Sequence, residues 1–234
     1  MQDRLRDQEF GAFPQPFPPT RIWIFGAGKF GTIAARRLKK RYPSAEFLVV
    51  DSDAKKLGRI SDELGLPVHL EDALSFFSKA EAPDDLWIVP AVPAHVVYEW
   101  MLSELEKAGR VNRMPVPHGV DTQVPNPYRV PSGTLYASFA TFICPDACNE
   151  PQDVCTFTKE PRLGNLFEVL KGIRIPGHSV VVVRSCQLAP GVGGSTMGYL
   201  REKLAEVKAA HRRTLIATSC RCHGVVDGLD WEPS

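Results

Sequence analysis

Short apolar runs alternate with amphipathic segments along the first half of the chain. Apolar runs of strand length are found at 22–25, 47–50, near 68 and at 86–89. Segments with apolar residues at helical spacing lie between and after them, at 29–42, 54–64, 71–79 and 94–108. This alternation is typical of strand–helix–strand units with right-handed crossovers. It therefore predicts an α/β fold with a mainly parallel sheet.

The second half of the chain has a different character, because eight of its 20 prolines lie between residues 111 and 161. Long helices are not expected there, and a strand is predicted at 134–143. Regular patterns return with a short helix, a strand, a helix and a strand, at 166–170, 179–183, 196–210 and 214–218. The two strands are expected to be parallel neighbours. We divide the chain into an extended arm at 1–20, a first unit at 21–120, and a cysteine-rich segment with a small α/β unit at 121–234.

Composition excludes several classes of protein. The chain has 234 residues, a net charge of +1 and 44% hydrophobic residues, so global disorder is excluded and nothing favours nucleic-acid binding. The N-terminus lacks an apolar stretch of signal-peptide length, and the longest apolar runs are too short to span a membrane. We therefore expect a cytoplasmic protein without membrane insertion.

A glycine-rich motif follows the first predicted strand and opens the first predicted helix. Its residues are Gly26, Ala27, Gly28, Lys29, Phe30 and Gly31. The first glycine permits a tight turn, the second lets the backbone approach a pyrophosphate, and the third allows close packing of helix on strand. The helix N-terminus offers free N–H donors to phosphates. Asp51, 20 residues after Gly31, is placed to accept hydrogen bonds from ribose hydroxyls.

With these residues, roughly positions 20 to 120 resemble the Rossmann-fold dinucleotide-binding superfamily, in particular the NAD-binding domains of dehydrogenases and of TrkA-type potassium-uptake regulators. The resemblance implies a Rossmann-like sheet with NAD as the ligand. Asp51 is followed by Ser52 rather than Arg, which favours NAD over NADP because a 2′-phosphate would face a carboxylate. Alternatives are S-adenosylmethionine, a flavin nucleotide, or glycines that serve only the turn.

The loop after the strand at 86–89 borders the nicotinamide ribose in Rossmann folds, since ligands bind beyond the carboxyl ends of the strands. We therefore expect Pro90 and Ala91 to contact the cofactor. His95 is a candidate acid or base at the reacting carbon, and His118 occupies a similar position after another predicted strand end. For both histidines the alternative is a side chain without a chemical role.

All six cysteines lie between residues 144 and 222, with none before. In a reducing cytosol such a group is more typical of metal ligands or redox groups than of disulfides. Cys144, Cys148 and Cys155 form a loop trio. Cys186 follows the strand at 179–183, while Cys220 and Cys222 follow the strand at 214–218. Since neighbouring strands lie about 4.8 Å apart, we expect their carboxyl ends to gather these thiols under the trio.

The predicted metal ligands are Cys144, Cys148 and Cys155, with a fourth from Cys220 or Cys222 and His223 as a weaker alternate. Thiolates are soft ligands that suit iron–sulfur clusters or zinc. The spacing matches neither a zinc ribbon nor a ferredoxin. We favour an iron–sulfur cluster over zinc; the alternative is a disulfide or a set of unrelated buried thiols.

A second glycine-rich segment precedes the helix at 196–210. We interpret this segment, together with Cys186, as a possible loop for binding a substrate or an anion. Its residues are Gly191, Gly193, Gly194, Ser195 and Thr196. Its backbone would form an anion nest, with a hydroxyl capping the helix. No Lys occupies a Walker A position, so an ATPase loop is not supported. The structural alternative is a flexible turn.

Together these features predict an NAD-linked oxidoreductase with a cysteine-ligated metal centre near the nicotinamide. The expected partners are a small-molecule substrate or a redox partner protein, and a homodimer is an option. Two other functions compete: a non-enzymatic sensor of NAD or redox state, as the resemblance to potassium-uptake regulators implies, and a factor that handles metals or clusters.

Overall fold

A computed structural model describes residues 18–210 and 213–234. Most of the predicted arm at 1–20 therefore lies outside the described residues. The strands are β1 (Arg21–Phe25), β2 (Glu46–Asp51), β3 (Val68–Leu70), β4 (Leu86–Pro90), β5 (Gly109–Met114), β6 (Tyr128–Arg129), β7 (Leu135–Ser138), β8 (Ser179–Arg184), β9 (Cys186–Ala189), β10 (Val192–Thr196), β11 (Thr214–Ser219) and β12 (His223–Pro233). The helices are α1 (Lys29–Arg41), α2 (Ala54–Leu64), α3 (Ala73–Lys79), α4 (Val96–Glu106), α5 (Leu166–Lys171) and α6 (Met197–Ala210), with a 3-10 helix at His118–Gln123.

The chain folds into a mixed α/β structure with two mixed sheets. In the first sheet the strand order is β3-β2-β1-β4-β10-β9. Strands β1 to β4 are parallel to one another, as the alternation of apolar runs and helices predicts, while β10 pairs antiparallel with β4 and β9 pairs antiparallel with β10. The order reverses between β1 and β4. The loops that leave these two strands therefore meet at one edge of the sheet.

The second sheet has the order β6-β7-β12-β11-β8, and β5 pairs with another part of β12. Strands β8 and β11 are parallel neighbours with Ser179 opposite Thr214, so this prediction is confirmed. The predicted strand at 134–143 is too long, because β7 ends at Ser138 and the chain then turns into the cysteine loop. Strand β12, with 11 residues, pairs with β11, β7 and β5.

The two sheets exchange chain segments. Strand β5 lies within the predicted first unit but pairs in the second sheet, whereas β9 and β10 come from the second half of the chain and join the first sheet. The glycine-rich segment before the helix, predicted as an anion loop or a flexible turn, instead forms the strand β10 over Val192–Thr196. A local stretch of sequence could not reveal this pairing, because β10 pairs with β4, which lies about 100 residues earlier in the chain.

Helices α4 and α6 lie between the two sheets. One apolar cluster combines Ile88 of the first sheet, Met101 of α4, Leu200 of α6, and Ile216 and Trp231 of the second sheet. Other apolar clusters cover the outer faces, with α1 and α2 on the first sheet and α5 on the second. The described part of the chain has no helix long and apolar enough to cross a membrane.

Two glycines make the turn from β1 into α1 possible. Gly26 has φ +108°, and a side chain there would lie 2.7 Å from the carbonyl oxygen of Ala91. A Cβ on Gly31 would lie only 1.8 Å from the carbonyl oxygen of Gly26. Gly28, at the N-terminus of α1, has open space where its side chain would be.

These contacts predict different outcomes for two alanine variants. We expect Gly31→Ala to lower the free energy of unfolding by about 3 kcal/mol, because the methyl group collides with backbone that cannot move away cheaply. Gly28→Ala is the matched control and should stay within about 1 kcal/mol of the wild type. Denaturant titration followed by circular dichroism measures both. Equal stability of the two variants would contradict the close packing of α1 on the turn.

Candidate functional site

Four cysteines line one pocket of about 200 Å³. They are Cys144, Cys148, Cys155 and Cys222. The first three come from the loop between β7 and α5, and the fourth comes from the turn between β11 and β12. One water molecule needs about 10–15 Å³ of such space, so the pocket has room for far more than a single atom. All six cysteines of the chain are free thiols.

Backbone hydrogen bonds hold the two segments of this cysteine pocket together. The N–H of Phe139, just after β7, donates to the carbonyl of Cys222 at 2.9 Å. Within the loop, the N–H of Cys155 donates to the carbonyl of Glu160 at 2.8 Å. The loop has little regular structure, as its prolines predict, and these bonds hold its backbone in place.

The thiols of the pocket influence one another electrostatically. Burial raises the pKa of Cys144, and the neighbouring sulfurs of Cys222, Cys148 and Cys155 raise it further. Burial also raises the pKa of Cys222, and the guanidinium of Arg162 opposes this rise. Its Nη1 lies 3.1 Å from Cys222 Sγ. Four thiolates would repel one another here, so a positively charged group in the pocket would stabilise the deprotonated set.

Cys155 differs from the other cysteines of the pocket. Hydrogen bonds from the backbone and side chain of Thr158 lower its pKa, because they favour the thiolate over the thiol. This thiol is therefore the one most readily deprotonated for ligation or reaction.

The two remaining cysteines lie outside the pocket lining. Burial raises the pKa of Cys220 to about 12 and that of Cys186 to about 11. Cys220 Sγ accepts the backbone N–H groups of Cys222 and His223 at 3.4 and 3.3 Å. Of the two predicted fourth ligands, Cys222 therefore lines the pocket, whereas Cys220 closes the turn that carries it. Cys186 lies beside Arg184 instead.

His223 lies between two thiols. Its Nε2 is 3.5 Å from Cys144 Sγ and its Nδ1 is 3.7 Å from Cys220 Sγ. Burial lowers its pKa, so the imidazole tends to be neutral. Neutral imidazole is the form that ligates metals, although the described residues contain no group of three or more His, Cys, Asp or Glu arranged around a single ion.

The cysteine loop is attached to the glycine turn. Lys29 Nζ, in the motif itself, pairs with Asp146 Oδ2 at 2.7 Å. Arg37 of α1 donates to the carbonyl of Asp146 at 2.6 Å. The carbonyl of Cys148 accepts the N–H of Gly191 at 2.8 Å and the side-chain amide of Gln187 at 2.7 Å. The β9–β10 hairpin and α1 thus hold the cysteine loop next to the predicted nucleotide site.

Asp51 is positioned by the turn that it faces. Its carboxylate accepts the N–H of Ala27 at 2.6 Å and that of Asp53 at 2.8 Å. A carboxylate has about four acceptor positions, so two remain for ligand hydroxyls. Ser52 beside it is exposed, and Phe30 is 57% exposed under the ammonium of Lys29.

The loop after β4 crosses directly over the glycine turn. Pro90 pairs with Phe25, and the N–H of Ala91 donates to the carbonyl of Phe25 at 2.7 Å. The carbonyl of Ala91 faces Gly26. These two predicted cofactor contacts therefore lie at the edge where the sheet order reverses.

The two candidate catalytic histidines have different surroundings. The His95 side chain is 5% exposed and is held between Asp227 and Thr218. The His118 side chain is 90% exposed beside Asp121. Sequence reasoning missed Asp227, Thr218 and Arg162, because each lies far along the chain from its partner and no local motif marks it.

The predicted anion loop does not form a nest. Gly193 pairs with Gln187, Gly194 pairs with Cys186, and Ser195 and Thr196 pair with β4. The Ser195 hydroxyl donates to the carbonyl of Arg184 at 3.0 Å. Backbone groups committed to a ladder are not available to cradle an anion. A Cβ at Gly194 would lie 2.6 Å from the carbonyl of Ile88, so this glycine serves close strand packing.

Fold and site together define a two-sheet mixed α/β protein with a four-cysteine pocket beside a glycine turn. The chain belongs to the AF_1314_C family, described as "Uncharacterized protein, C-terminal domain", which it matches over residues 97–232. It is also similar to a protein of Archaeoglobus fulgidus named "Uncharacterized protein", with 28% identity over 222 residues that cover 88% of this chain and 97% of the relative. No solved structure matches the chain.

The thiol environments predict an order of alkylation in metal-free protein. Iodoacetamide should modify Cys155 first, because its pKa is lowered, and Cys186 and Cys220 last, because burial keeps them protonated. Peptide mass spectrometry over a time course at neutral pH measures this order. Unfolded protein in denaturant, in which the differences vanish, is the control. Early modification of Cys220 would contradict the described turn.

Proposed function

We propose that the protein is an NAD-linked oxidoreductase whose cysteine pocket holds an iron–sulfur cluster close to the nucleotide. One observation carries the proposal: four free thiols line a single pocket whose loop is paired to Lys29 of the glycine turn. The thiolate forms of these cysteines would repel one another in the pocket. A bound cation would remove that repulsion and favour deprotonation.

The ligand set we propose is Cys144, Cys148, Cys155 and Cys222, since four thiolates are the usual ligands of [2Fe–2S] and [4Fe–4S] clusters. A cluster spreads its ligands around several irons, whereas one zinc ion needs all its ligands at about 2.0–2.3 Å from a single point. The four cysteines share a pocket of about 200 Å³, which has more room than a single ion needs. We therefore propose a cluster rather than zinc.

The charge near the pocket also suits a cluster. Four thiolates make cysteine-bound clusters net anionic, and Arg162 Nη1 lies 3.1 Å from Cys222 Sγ. A hydrogen bond from a cationic donor to a ligating sulfur would stabilise the anionic centre and tune its potential.

For the nucleotide we propose a Rossmann-like site at the glycine turn. The parallel order β3-β2-β1-β4, the free N-terminus of α1 and the open space above Gly28 support it. The pyrophosphate would lie over Gly28, and the two unused acceptor positions of the Asp51 carboxylate would take the ribose hydroxyls.

NAD would supply hydride transfer and the cluster single-electron transfer, which together connect two-electron and one-electron chemistry. The residues of this chain would bind these groups and orient them. Asp146 holds Lys29 at the glycine turn, and Cys148 is anchored by its carbonyl to Gly191 and Gln187. The partner of such a centre would be a redox protein or a small substrate. The proposed compartment is the cytoplasm, where thiols remain reduced.

A regulatory role is a second candidate, and the Lys29–Asp146 ion pair favours it. A bound pyrophosphate would compete with Asp146 for Lys29 and could release the cysteine loop. The protein would then report nucleotide or redox state to a partner. NADH turnover with an artificial electron acceptor favours the enzyme. Nucleotide binding without turnover favours the sensor.

The cluster proposal predicts the effect of two serine variants. Protein prepared without oxygen should be brown and contain iron and acid-labile sulfide. Cys222→Ser should lose most of both, because one of four ligands is replaced by a poor one. Cys186→Ser is the matched control, since this thiol lies outside the pocket lining, and it should keep the wild-type content. Colourless wild-type protein without iron would refute the proposal. A stoichiometric content of zinc would instead indicate that the pocket is a zinc site.

The nucleotide proposal predicts a change of specificity. Wild-type protein should bind NAD(H) with micromolar affinity, and Asp51→Arg should shift preference toward NADP(H), because a carboxylate is replaced by a cation facing the 2′-phosphate. Asp51→Asn is the control: it keeps an acceptor for the Ala27 N–H and loses only the charge. Calorimetry measures the binding of both dinucleotides to the wild-type protein and to the two variants. No binding of either dinucleotide to wild-type protein would exclude the site, whatever the cysteines hold.

A further inference from the structure

A chain of hydrogen-bonded side chains surrounds His95. Its Nδ1 lies 2.9 Å from Asp227 Oδ2, and its Nε2 lies 2.8 Å from the hydroxyl of Thr218. The hydroxyl of Thr134 donates to Asp227 Oδ1 at 2.6 Å, and Ser132 Oγ lies 3.0 Å from Thr134 Oγ1. Five polar side chains from four separate segments thus form one connected network.

The network is built into apolar surroundings. Thr218 and Asp227 lie on β11 and β12, within one or two residues of the fully buried Ile216 and Leu229. Desolvating a carboxylate and an imidazole costs free energy that apolar side chains of similar size would not cost. Polar networks of this kind give a core a unique packing, and where they line a pocket they mark a candidate functional site.

The network faces a pocket of about 440 Å³, within the range of small-molecule sites. His95, Asp227, Thr134 and Ser132 all line it, and Tyr98 and Arg113 form other parts of its wall. Its lining shares no residue with the cysteine pocket. Asp227 lies five residues along the chain from Cys222, or roughly 15 Å in an extended strand, so the two pockets are separate sites.

The charge of the wall restricts the ligand. Arg113 is held by Glu99 in a two-pronged pair, with Nη1–Oε1 and Nη2–Oε2 distances of 2.6 and 2.5 Å, so its charge is compensated. Asp227 pairs directly with the His95 imidazole, and the Arg113 guanidinium acts on it electrostatically without forming an ion pair. Apart from the imidazole, the charged side chains of the lining are the guanidinium of Arg113 and the carboxylates of Glu99 and Asp227, one positive group against two negative groups. An anionic ligand is therefore disfavoured.

We propose that this pocket binds a small molecule without acidic groups that presents a hydroxyl or amino group to Asp227. Carboxylate oxygens only accept hydrogen bonds, so the ligand must donate. Each oxygen of Asp227 already has one protein partner and keeps acceptor capacity toward the pocket. His95 and Thr134 hold the carboxylate in place. The inference requires neither NAD nor a cluster.

Three probes with the same three-carbon skeleton test the inference on the full-length protein without nucleotide. They are glycerol, which is neutral, 2-amino-1,3-propanediol, which is cationic, and glycerate, which is anionic. The imidazole nitrogen resonances of His95, assigned by their loss in His95→Gln, are followed by NMR during titration. We expect glycerol and the amine to shift these resonances in a saturable way, with the amine binding more tightly. Glycerate should leave them unchanged.

Matched variants locate the contact. Asp227→Asn should weaken binding of the amine roughly ten- to a hundredfold, because it removes a charged acceptor. Asp230→Asn, on the same strand and paired instead with Arg213 at 3.8 Å, should not change binding. Thr218→Val should shift the His95 Nε2 resonance and Thr218→Ser should restore it, with amine affinity unchanged in both.

Three results would overturn the proposal. One is glycerate binding as tightly as the amine, which would show that the charge argument fails. Another is the absence of any probe-dependent shift at His95 in a folded protein. The last is equal weakening by Asp227→Asn and Asp230→Asn, which would indicate a general effect on the strand. Failure of NAD or iron binding leaves all three measurements interpretable.

Discussion

Strand β12 positions both the cysteine pocket and the His95 pocket, because its backbone pairs with three other strands along its length. Cys222 directly precedes it, Asp227 lies in its middle and Trp231 is buried near its end. Pairing with β7 brings in the cysteine loop, and pairing with β11 places Thr218 diagonally across from Asp227, so that both reach His95. A slip of one residue would turn each of these side chains to the opposite face of the sheet.

Electrostatics separates the six cysteines into groups with different chemistry. Mutual proximity and burial raise the pKa of Cys144, hydrogen bonding lowers that of Cys155, and burial alone dominates for Cys186 and Cys220. The first two belong to the pocket, where a cation would relieve the repulsion between thiolates. The last two behave as buried thiols, one of them accepting the N–H groups of its own turn.

The parallel strands of the first sheet and the pairing of β8 with β11 could be predicted, because apolar runs separated by helical segments leave few arrangements. The β9–β10 hairpin could not. Glycines at 191, 193 and 194 suggested an open loop, but they permit close packing against Ser185 and Ile88 and a turn with positive φ. The same residue type serves both purposes, and only the neighbours decide between them.

Taken by itself, the sequence determined which residues could carry chemistry: a glycine motif followed by Asp51, and cysteines confined to one half of the chain. These are local signals, since spacing along a strand–turn–helix is enough to define them. Tertiary structure decided which of them meet. It placed Cys222 rather than Cys220 in the lining of the cysteine pocket, joined the cysteine loop to the glycine turn through Asp146, and brought Asp227 to His95 from 132 residues away. Such contacts depend on strand register and on the packing of α4 and α6 between two sheets, which no local pattern encodes.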